Sequence, residues 1–115
     1  EAYRYVDFLP TYSTEDLTRE IMKALEELKD CEGIIIFTDL MGGTPFNVSA
    51  QIGRGKENIR IVAGTNLPML VEIVMSRKFM DDLDGLVDSV LETGREQVVK
   101  YEFKQVVQEE SEDGI

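Results

Sequence analysis

The stretch GIIIFTDLMGGTPFN, residues 33–47, constrains the fold of this chain more than any other segment. It begins with a glycine and four consecutive apolar residues, a pattern typical of a strand buried on both faces of a parallel sheet. Asp39 follows at the carboxyl end of this predicted strand, and two glycines then give the loop conformational freedom. Thr44 is a good helix N-cap, and Pro45 suits the first helical turn, where its missing N–H costs nothing. The segment therefore predicts a strand, an acidic tip, a glycine loop and a helix start.

This arrangement predicts a binding site for an anion. Free N–H groups at a helix start attract negative charge, and Gly42 and Gly43 let a ligand approach the backbone. A carboxylate at the same place would repel an anion, so Asp39 must serve a different purpose. It suits a cationic or proton-bearing partner such as an imidazole, which the carboxylate would hold and orient. Each residue also has a plainer interpretation: Asp39 as a turn residue, Thr44 as a cap only, and the glycines as turn formers.

Composition limits the chemistry that the chain can perform. It has 115 residues, enough for one domain. Its net charge of −11 argues against nucleic acid as a partner and permits docking to a protein with a basic surface. It has no histidine and a single cysteine, Cys31, which excludes Ser/His/Asp and Cys/His nucleophile sets, an intrachain disulfide and a cysteine-based metal site. Walker and dinucleotide-binding motifs are absent too, and we expect no metal and no cofactor. Without a long apolar run or a signal peptide, we expect a cytoplasmic protein.

The order of the predicted elements favours an α/β fold. Strands are predicted at residues 3–8, 33–38, 59–63 and 101–107. Helices are predicted at 14–30, 45–52 and 67–77, and a last helix starts at Asp82 or Asp84 and ends at Gly94 or continues past Glu96. Alternating strands and helices imply a three-layer, mostly parallel open sheet with helices on both faces. We expect one domain over residues 1–108 and an acidic, disordered tail over 109–115.

The candidate site follows from the geometry of such a sheet, because ligands bind outside the carboxyl ends of parallel strands. The loops at 38–44 and 64–67 both emerge at that edge. The residues that this geometry selects are Asp39, Gly42, Gly43 and Thr44. Asn66 lies in the second loop, and there we expect the N-cap of the following helix rather than a ligand contact.

Four separate motifs carry a family resemblance. They are DLMGGTPFN at 39–47, AGTNLPMLVE at 63–72, LETGRE at 91–96 and VDFLP at 6–10. In this order and spacing they resemble the mannose-family IIA domain of the bacterial sugar phosphotransferase system. The resemblance implies an open sheet with a C-terminal antiparallel strand and the work of a phosphocarrier. A histidine accepts a phosphoryl group from the histidine-containing phosphocarrier protein and passes it to a IIB domain, which phosphorylates a sugar entering through the membrane components IIC and IID.

The same resemblance assigns roles to residues of the site. Asp39 would orient the phosphorylated histidine and would act in the transfer together with Thr44. The backbone at Met41, Gly42 and Gly43 and the Thr44 residue would receive the phosphoryl oxygens. Two further residues, Asn47 and Asn66, would lie near the site.

The histidine that the family uses is absent from these 115 residues. The chain begins where the second strand of the family begins, so we expect the first strand–helix unit, about thirty residues, to be missing. An incomplete amino end is one explanation, and a natural degenerate form without phosphotransfer is the other. We favour the first, because Asp39 and the anion cradle are intact. As written, the chain should be unable to carry a phosphoryl group.

The sequence also allows two other functions and a homodimer. The chain could instead be a IIA-like regulatory domain of a transcriptional regulator, controlled by phosphorylation, or a phosphate-binding module without turnover. The sugar cannot be read from this sequence. The family also forms homodimers by exchanging a C-terminal strand, and residues 101–107 could serve this purpose or pair within their own subunit.

Overall fold

The computed structural model describes residues 3–104 of the chain. Within them four helices and two strands follow the order α1 (Thr14–Glu27), β1 (Ile34–Phe37), α2 (Thr44–Gly53), β2 (Ile59–Val62), α3 (Leu67–Ser76) and α4 (Leu83–Glu96). The α/β class predicted from the sequence is confirmed. Among residues 3–104, no helix is both long enough and apolar enough to cross a bilayer.

The two strands form a parallel pair. Ile34 lies opposite Ile59, and Phe37 lies opposite Val62. Helix α2 connects the strands, so the segment has the strand–helix–strand unit that alternating patterns predict. Because the described part of the sheet contains two strands, the wider three-layer open sheet remains a prediction.

Alternation along β2 turns its side chains toward different helices. A side chain at Gly53 in α2 would come within 3.2 Å of Ile59 and 3.4 Å of Ile61, so the glycine allows the helix to lie close to this face. Val62 packs instead with Met69 of α3 and Val90 of α4, and all three are buried. A separate cluster of Leu17, Ile21 and Val48 joins α1 to α2.

Polar contacts also join α3 to α4. The carboxylate of Glu72 accepts hydrogen bonds from the hydroxyl groups of Ser76, at 2.6 Å, and Ser89, at 2.9 Å. The Ser76 bond is the main cause that lowers the pKa of Glu72, and the Ser89 bond adds to it, because both stabilise the charged form.

An ion pair joins β2 to α4. Arg60 of β2 lies 2.6 Å from the carboxylate of Asp84, near the start of α4.

The helix starts largely follow the sequence signals. Ser13 caps α1 in a reciprocal pair with Asp16, and Asn66 caps α3 through the backbone N–H of Met69. Asp82 caps α4, which settles the choice between Asp82 and Asp84. In each case a short polar side chain accepts a backbone N–H that has no partner inside the helix.

One helix ends earlier than predicted, and the structure decides between the two ends predicted for another. Helix α1 stops at Glu27, and Leu28 closes it with its N–H bonded to Ala24. Acidic residues at 30 and 32 are unfavourable beside a helix C-terminus, whose dipole repels negative charge, and this explains why the helix does not reach residue 30. Helix α4 continues through Gly94 to Glu96, because Gly94 is buried inside the helix contact instead of closing it.

The predicted strand at residues 3–8 is wrong, because this segment has no regular secondary structure. A strand needs a neighbour to bond its backbone, and within residues 3–104 only β1 and β2 pair. Tyr3 and Tyr5 are exposed, and the segment is held through an ion pair of 2.7 Å between Arg4 and Glu27.

The predicted last strand falls partly outside the described residues. Residues 101–104 form no strand among the described residues, so the antiparallel strand is not confirmed and remains a prediction. They follow α4 without a strand beside them to pair with, and Tyr101 and Phe103 are exposed. Residues 105–107 and the predicted tail at 109–115 lie outside the described residues.

Candidate functional site

The carboxyl ends of β1 and β2 bring the two predicted loops together. The N–H of Thr38, just after β1, donates to the carbonyl of Val62 at 2.8 Å. The carbonyl of Thr38 accepts from the N–H of Thr65 at 3.1 Å and from its hydroxyl at 2.7 Å. Thr38 is buried and Thr65 is half-buried, so these bonds are partly shielded from water. Loop 64–67 is therefore fixed to the first residue of loop 38–44.

Loop 38–44 is closed by its own hydrogen bonds. Gly42 has a φ of +88°, a conformation that a residue with a side chain rarely adopts, and the N–H of Gly43 donates to the carbonyl of Leu40 at 3.1 Å. The side-chain amide of Asn47, one turn into α2, donates to the carbonyl of Gly42 at 3.1 Å. The N–H of Asn47 donates to the carbonyl of Gly43 at 2.9 Å. Asn47, predicted near the site, thus touches the glycine loop directly.

The N-terminus of α2 leaves two N–H groups free for an anion. Gly43 occupies the N-cap position and has no side chain to cap the helix. Pro45 has no N–H, and within residues 3–104 the N–H groups of Thr44 and Phe46 have no hydrogen-bond partner. The prediction that Thr44 is the N-cap is wrong, because the helix begins one residue earlier than expected and Thr44 is its first residue. The Thr44 hydroxyl is therefore not needed to satisfy the helix.

Asp39 lies between the end of β1 and the glycine loop. Its side chain is exposed, and within the described residues the carboxylate accepts no hydrogen bond and joins no ion pair. A turn-forming aspartate usually accepts from a nearby backbone N–H. Asp39 does not, so its carboxylate is available to a group from outside this part of the chain.

Met41 presents an apolar side chain at the same loop. The side chain is 76% exposed, and that of neighbouring Leu40 is 64% exposed. A thioether is a weak acceptor and cannot donate to a phosphoryl oxygen. Any contribution of Met41 to an anion site would therefore come from its backbone.

Asn66 serves the structure through both parts of its side-chain amide. Its oxygen accepts from the N–H of Met69 at 3.3 Å, and its nitrogen donates to the carbonyl of Gly94 at 3.1 Å. The cap predicted from the sequence is confirmed, and the second bond ties the start of α3 to the end of α4. Asn66 supports loop 64–67, and its oxygen and one of its N–H groups are already used.

Sequence reasoning missed two features of this site. The pairing of Thr65 with Thr38 joins the loops, and threonine at a strand end carries no signal of its partner. The free N–H of Phe46 could have been found, because a glycine before Thr44 and a proline after it leave few ways to cap the helix.

Comparison with known proteins places the chain in a family. Residues 1–91 match the model of a family described as the fructose IIA component of the phosphotransferase system. The mannose-specific EIIAB component of Escherichia coli K12 is 37% identical over 102 residues, which are 89% of this chain and 32% of that protein. The sorbose-specific EIIA component of Lacticaseibacillus casei is 40% identical over 75 residues, which are 65% of this chain and 54% of that protein. The chain therefore spans about a third of the first relative and about half of the second.

A solved structure supports the same assignment. The phosphotransferase system component EIIA from Streptococcus agalactiae superposes with a TM-score of 0.73 at 35% identity, over 83% of this chain and 72% of that chain. The sequence match and the fold thus agree over most of the described residues. The chain belongs to the mannose and fructose IIA family of the sugar phosphotransferase system.

Proposed function

We propose that this chain provides the phosphoryl cradle of a IIA phosphocarrier in sugar uptake. The phosphoryl group would arrive from the histidine-containing phosphocarrier protein and leave to a IIB domain. The carrier histidine would lie outside these 115 residues, which contain none. Family membership supports the general role, and the mannose-specific and sorbose-specific names of the relatives support a sugar as the final acceptor.

The observation that carries the proposal is the free carboxylate of Asp39 beside an uncapped helix start. A phosphorylated imidazole presents a negative phosphoryl group and a ring N–H at the same time. The N–H groups of Thr44 and Phe46 would receive the phosphoryl oxygens, and the Asp39 carboxylate would accept the ring N–H. Neither group has another partner among residues 3–104, so both can serve the incoming imidazole.

The chemistry of transfer explains why this arrangement would suffice. The reacting phosphorus passes from one nitrogen nucleophile to another, and the site supplies position and charge stabilisation instead of a covalent step of its own. N–H groups aimed at the oxygens stabilise the charge that spreads over them in the transition state. The Thr44 hydroxyl does not cap the helix, so it is a third hydrogen-bond donor at the start of α2.

A phosphorylation assay on the natural protein that contains this chain would test the proposal. The unaltered protein should gain one phosphoryl group from phosphoenolpyruvate in the presence of the two upstream carrier proteins, and lose it when a IIB domain is added. Asp39→Asn should slow this transfer by roughly 100-fold, because it removes the charge that orients and polarises the imidazole. Full-rate transfer by Asp39→Asn, or no phosphoryl uptake by the unaltered protein, would refute the assignment.

We propose further that the natural protein is a homodimer built through residues 101–107. Of these, residues 101–104 leave the body of the protein without a strand partner, with Tyr101 and Phe103 exposed at 73% and 89%. A segment that alternates exposed aromatic and charged residues gains stability by pairing with a strand of another copy. Light scattering on a variant cut before Tyr101 should show a monomer, and an unchanged dimer would exclude this segment as its basis.

A further inference from the structure

The peptide between Gly42 and Gly43 is held at both of its polar atoms. Its carbonyl oxygen accepts from the side-chain amide of Asn47 at 3.1 Å. Its N–H donates to the carbonyl of Leu40 at 3.1 Å. The next carbonyl, that of Gly43, accepts from the N–H of Asn47 at 2.9 Å. Asn47 thus holds two successive carbonyls just before the helix start.

A glycine–glycine peptide needs such a restraint. Glycine adopts positive and negative φ with similar ease, so the peptide can rotate and exchange the positions of its carbonyl and its N–H. Gly42 itself has a φ of +88°, which confirms that this loop uses the conformational freedom of glycine. A carbonyl oxygen turned toward a bound anion would repel it. The hydrogen bond from the Asn47 amide holds the carbonyl in a single position.

The choice of asparagine at this position has no other explanation in the structure. Asn47 lies in the first turn of α2 and is exposed, so packing in the core does not explain it. Asparagine is also a poorer helix former than alanine, glutamine or lysine at an exposed position. Its side chain makes one hydrogen bond within residues 3–104, and that bond goes to Gly42.

We propose that Asn47 is a positioning residue for phosphoryl transfer. It fixes the Gly42–Gly43 peptide, and through it the loop that presents the free N–H groups of Thr44 and Phe46. This inference rests on the proposed function of the same site. Asn47 itself does not touch the phosphoryl group; it acts through the glycine loop.

The test uses three variants of the natural protein. Asn47→Ala removes the donor, and Asn47→Asp keeps the shape while replacing the donor with an acceptor. Gln51→Ala is the matched control, because Gln51 is exposed, lies one turn further along the same helix, and has a side-chain amide that makes no hydrogen bond among the described residues. Alanine is the better helix former at both positions, and in Asn47→Ala this gain offsets part of the hydrogen bond that is lost, so we expect both alanine variants to fold.

Two readouts separate positioning from a purely structural role. The rate of phosphoryl transfer at saturating donor protein should fall roughly fivefold to tenfold in Asn47→Ala, the range expected for losing one hydrogen bond, and further in Asn47→Asp, while KM for the donor protein stays constant. Hydrogen exchange of the Gly43 N–H should rise by a similar factor in both variants. Gln51→Ala should match the unaltered protein in both measurements.

Two results would overturn the inference. One is a transfer rate and a Gly43 exchange rate in Asn47→Ala within twofold of those in Gln51→Ala. The other is a lower melting temperature with unchanged Gly43 exchange, which would make Asn47 a structural residue only. If the unaltered protein accepts no phosphoryl group, the proposed function fails by itself, and the role in transfer fails with it; Gly43 exchange then still decides whether Asn47 fixes the peptide.

Discussion

Replacing Gly94 with alanine should destabilise the protein, although alanine is the better helix former. Gly94 is a buried position in α4, and a Cβ atom built there would lie 2.5 Å from the Cγ atom of Met69 and 2.7 Å from its sulfur. Ordinary contacts between such atoms are about 3.5–4.0 Å, so the overlap is about 1 Å or more. The Asn66 carboxamide oxygen is 3.3 Å away and limits where Met69 can move.

The expected size follows from two opposing effects. Overpacking of a core costs about 1–3 kcal/mol, and an overlap at two atoms of a side chain that is only 3% exposed favours the upper half of this range. Alanine in place of glycine inside a helix stabilises the folded state by about 1 kcal/mol, which offsets part of this cost. We therefore expect Gly94→Ala to lower the free energy of unfolding by about 1–2 kcal/mol in urea unfolding at neutral pH.

A double-mutant cycle with Met69→Ala identifies the cause. Met69→Ala alone should cost about 2–5 kcal/mol, because it leaves a cavity in the core. In that background the overlap is gone, so adding Gly94→Ala should stabilise the protein by up to about 1 kcal/mol. A Gly94→Ala substitution with the same effect in both backgrounds, or a stabilising one in the unaltered protein, would show that Met69 does not fill this space.

Two further predictions concern helix α3. Asn66→Ala removes the side-chain acceptor for the Met69 N–H and the link to the carbonyl of Gly94, and thermal unfolding should show a loss of about 1–2 kcal/mol; an unchanged melting curve would mean that water replaces both bonds. Glu72→Gln should be less stable than the unaltered protein at neutral pH, because the folded state lowers the pKa of Glu72 below its ordinary value of 4.5 through Ser76 and Ser89. A lowered pKa stabilises the folded state above about pH 4.5, and this stability is lost as the pH falls through the folded-state pKa, so urea unfolding should show the two proteins converging in acid. The exposed Glu92→Gln on α4 is the control, and a difference for Glu72→Gln that does not shrink with acidification would refute the prediction.

The sequence predicted the elements that depend on local chemistry. The strand at Ile34–Phe37, the caps at Ser13 and Asn66 and the parallel pairing of β1 with β2 follow from side-chain type and spacing, and the structure has all of them. The four side chains of β1 are only half-buried within the described residues, so the predicted burial on both faces is not seen there. The position of the glycine loop followed from the same pattern.

The incorrect or undecided predictions concern segments whose structure depends on neighbours distant in sequence. The segment at residues 3–8 has the alternation of a strand, but alternation gives a strand only when another strand accepts its backbone hydrogen bonds. The sequence left the end of α4 open between Gly94 and a continuation past Glu96, because only the contact with Met69 shows that Gly94 is an interior residue where a side chain has no room. The helix start at Thr44 was misplaced by one residue because glycine and threonine are both acceptable N-caps.

The link between Asn66 and Gly94 has a consequence for how this protein opens. One side chain serves the first turn of α3 and the last turn of α4, so neither end can fray without releasing the other. Loop 64–67 precedes α3 and is bonded to buried Thr38, which places that loop within the same opening unit. Helix ends and loops usually exchange their amide hydrogens by small local fluctuations. Here the amides of Thr65 and Met69 should exchange together and slowly, at a rate set by a larger cooperative opening that also separates the two strand ends.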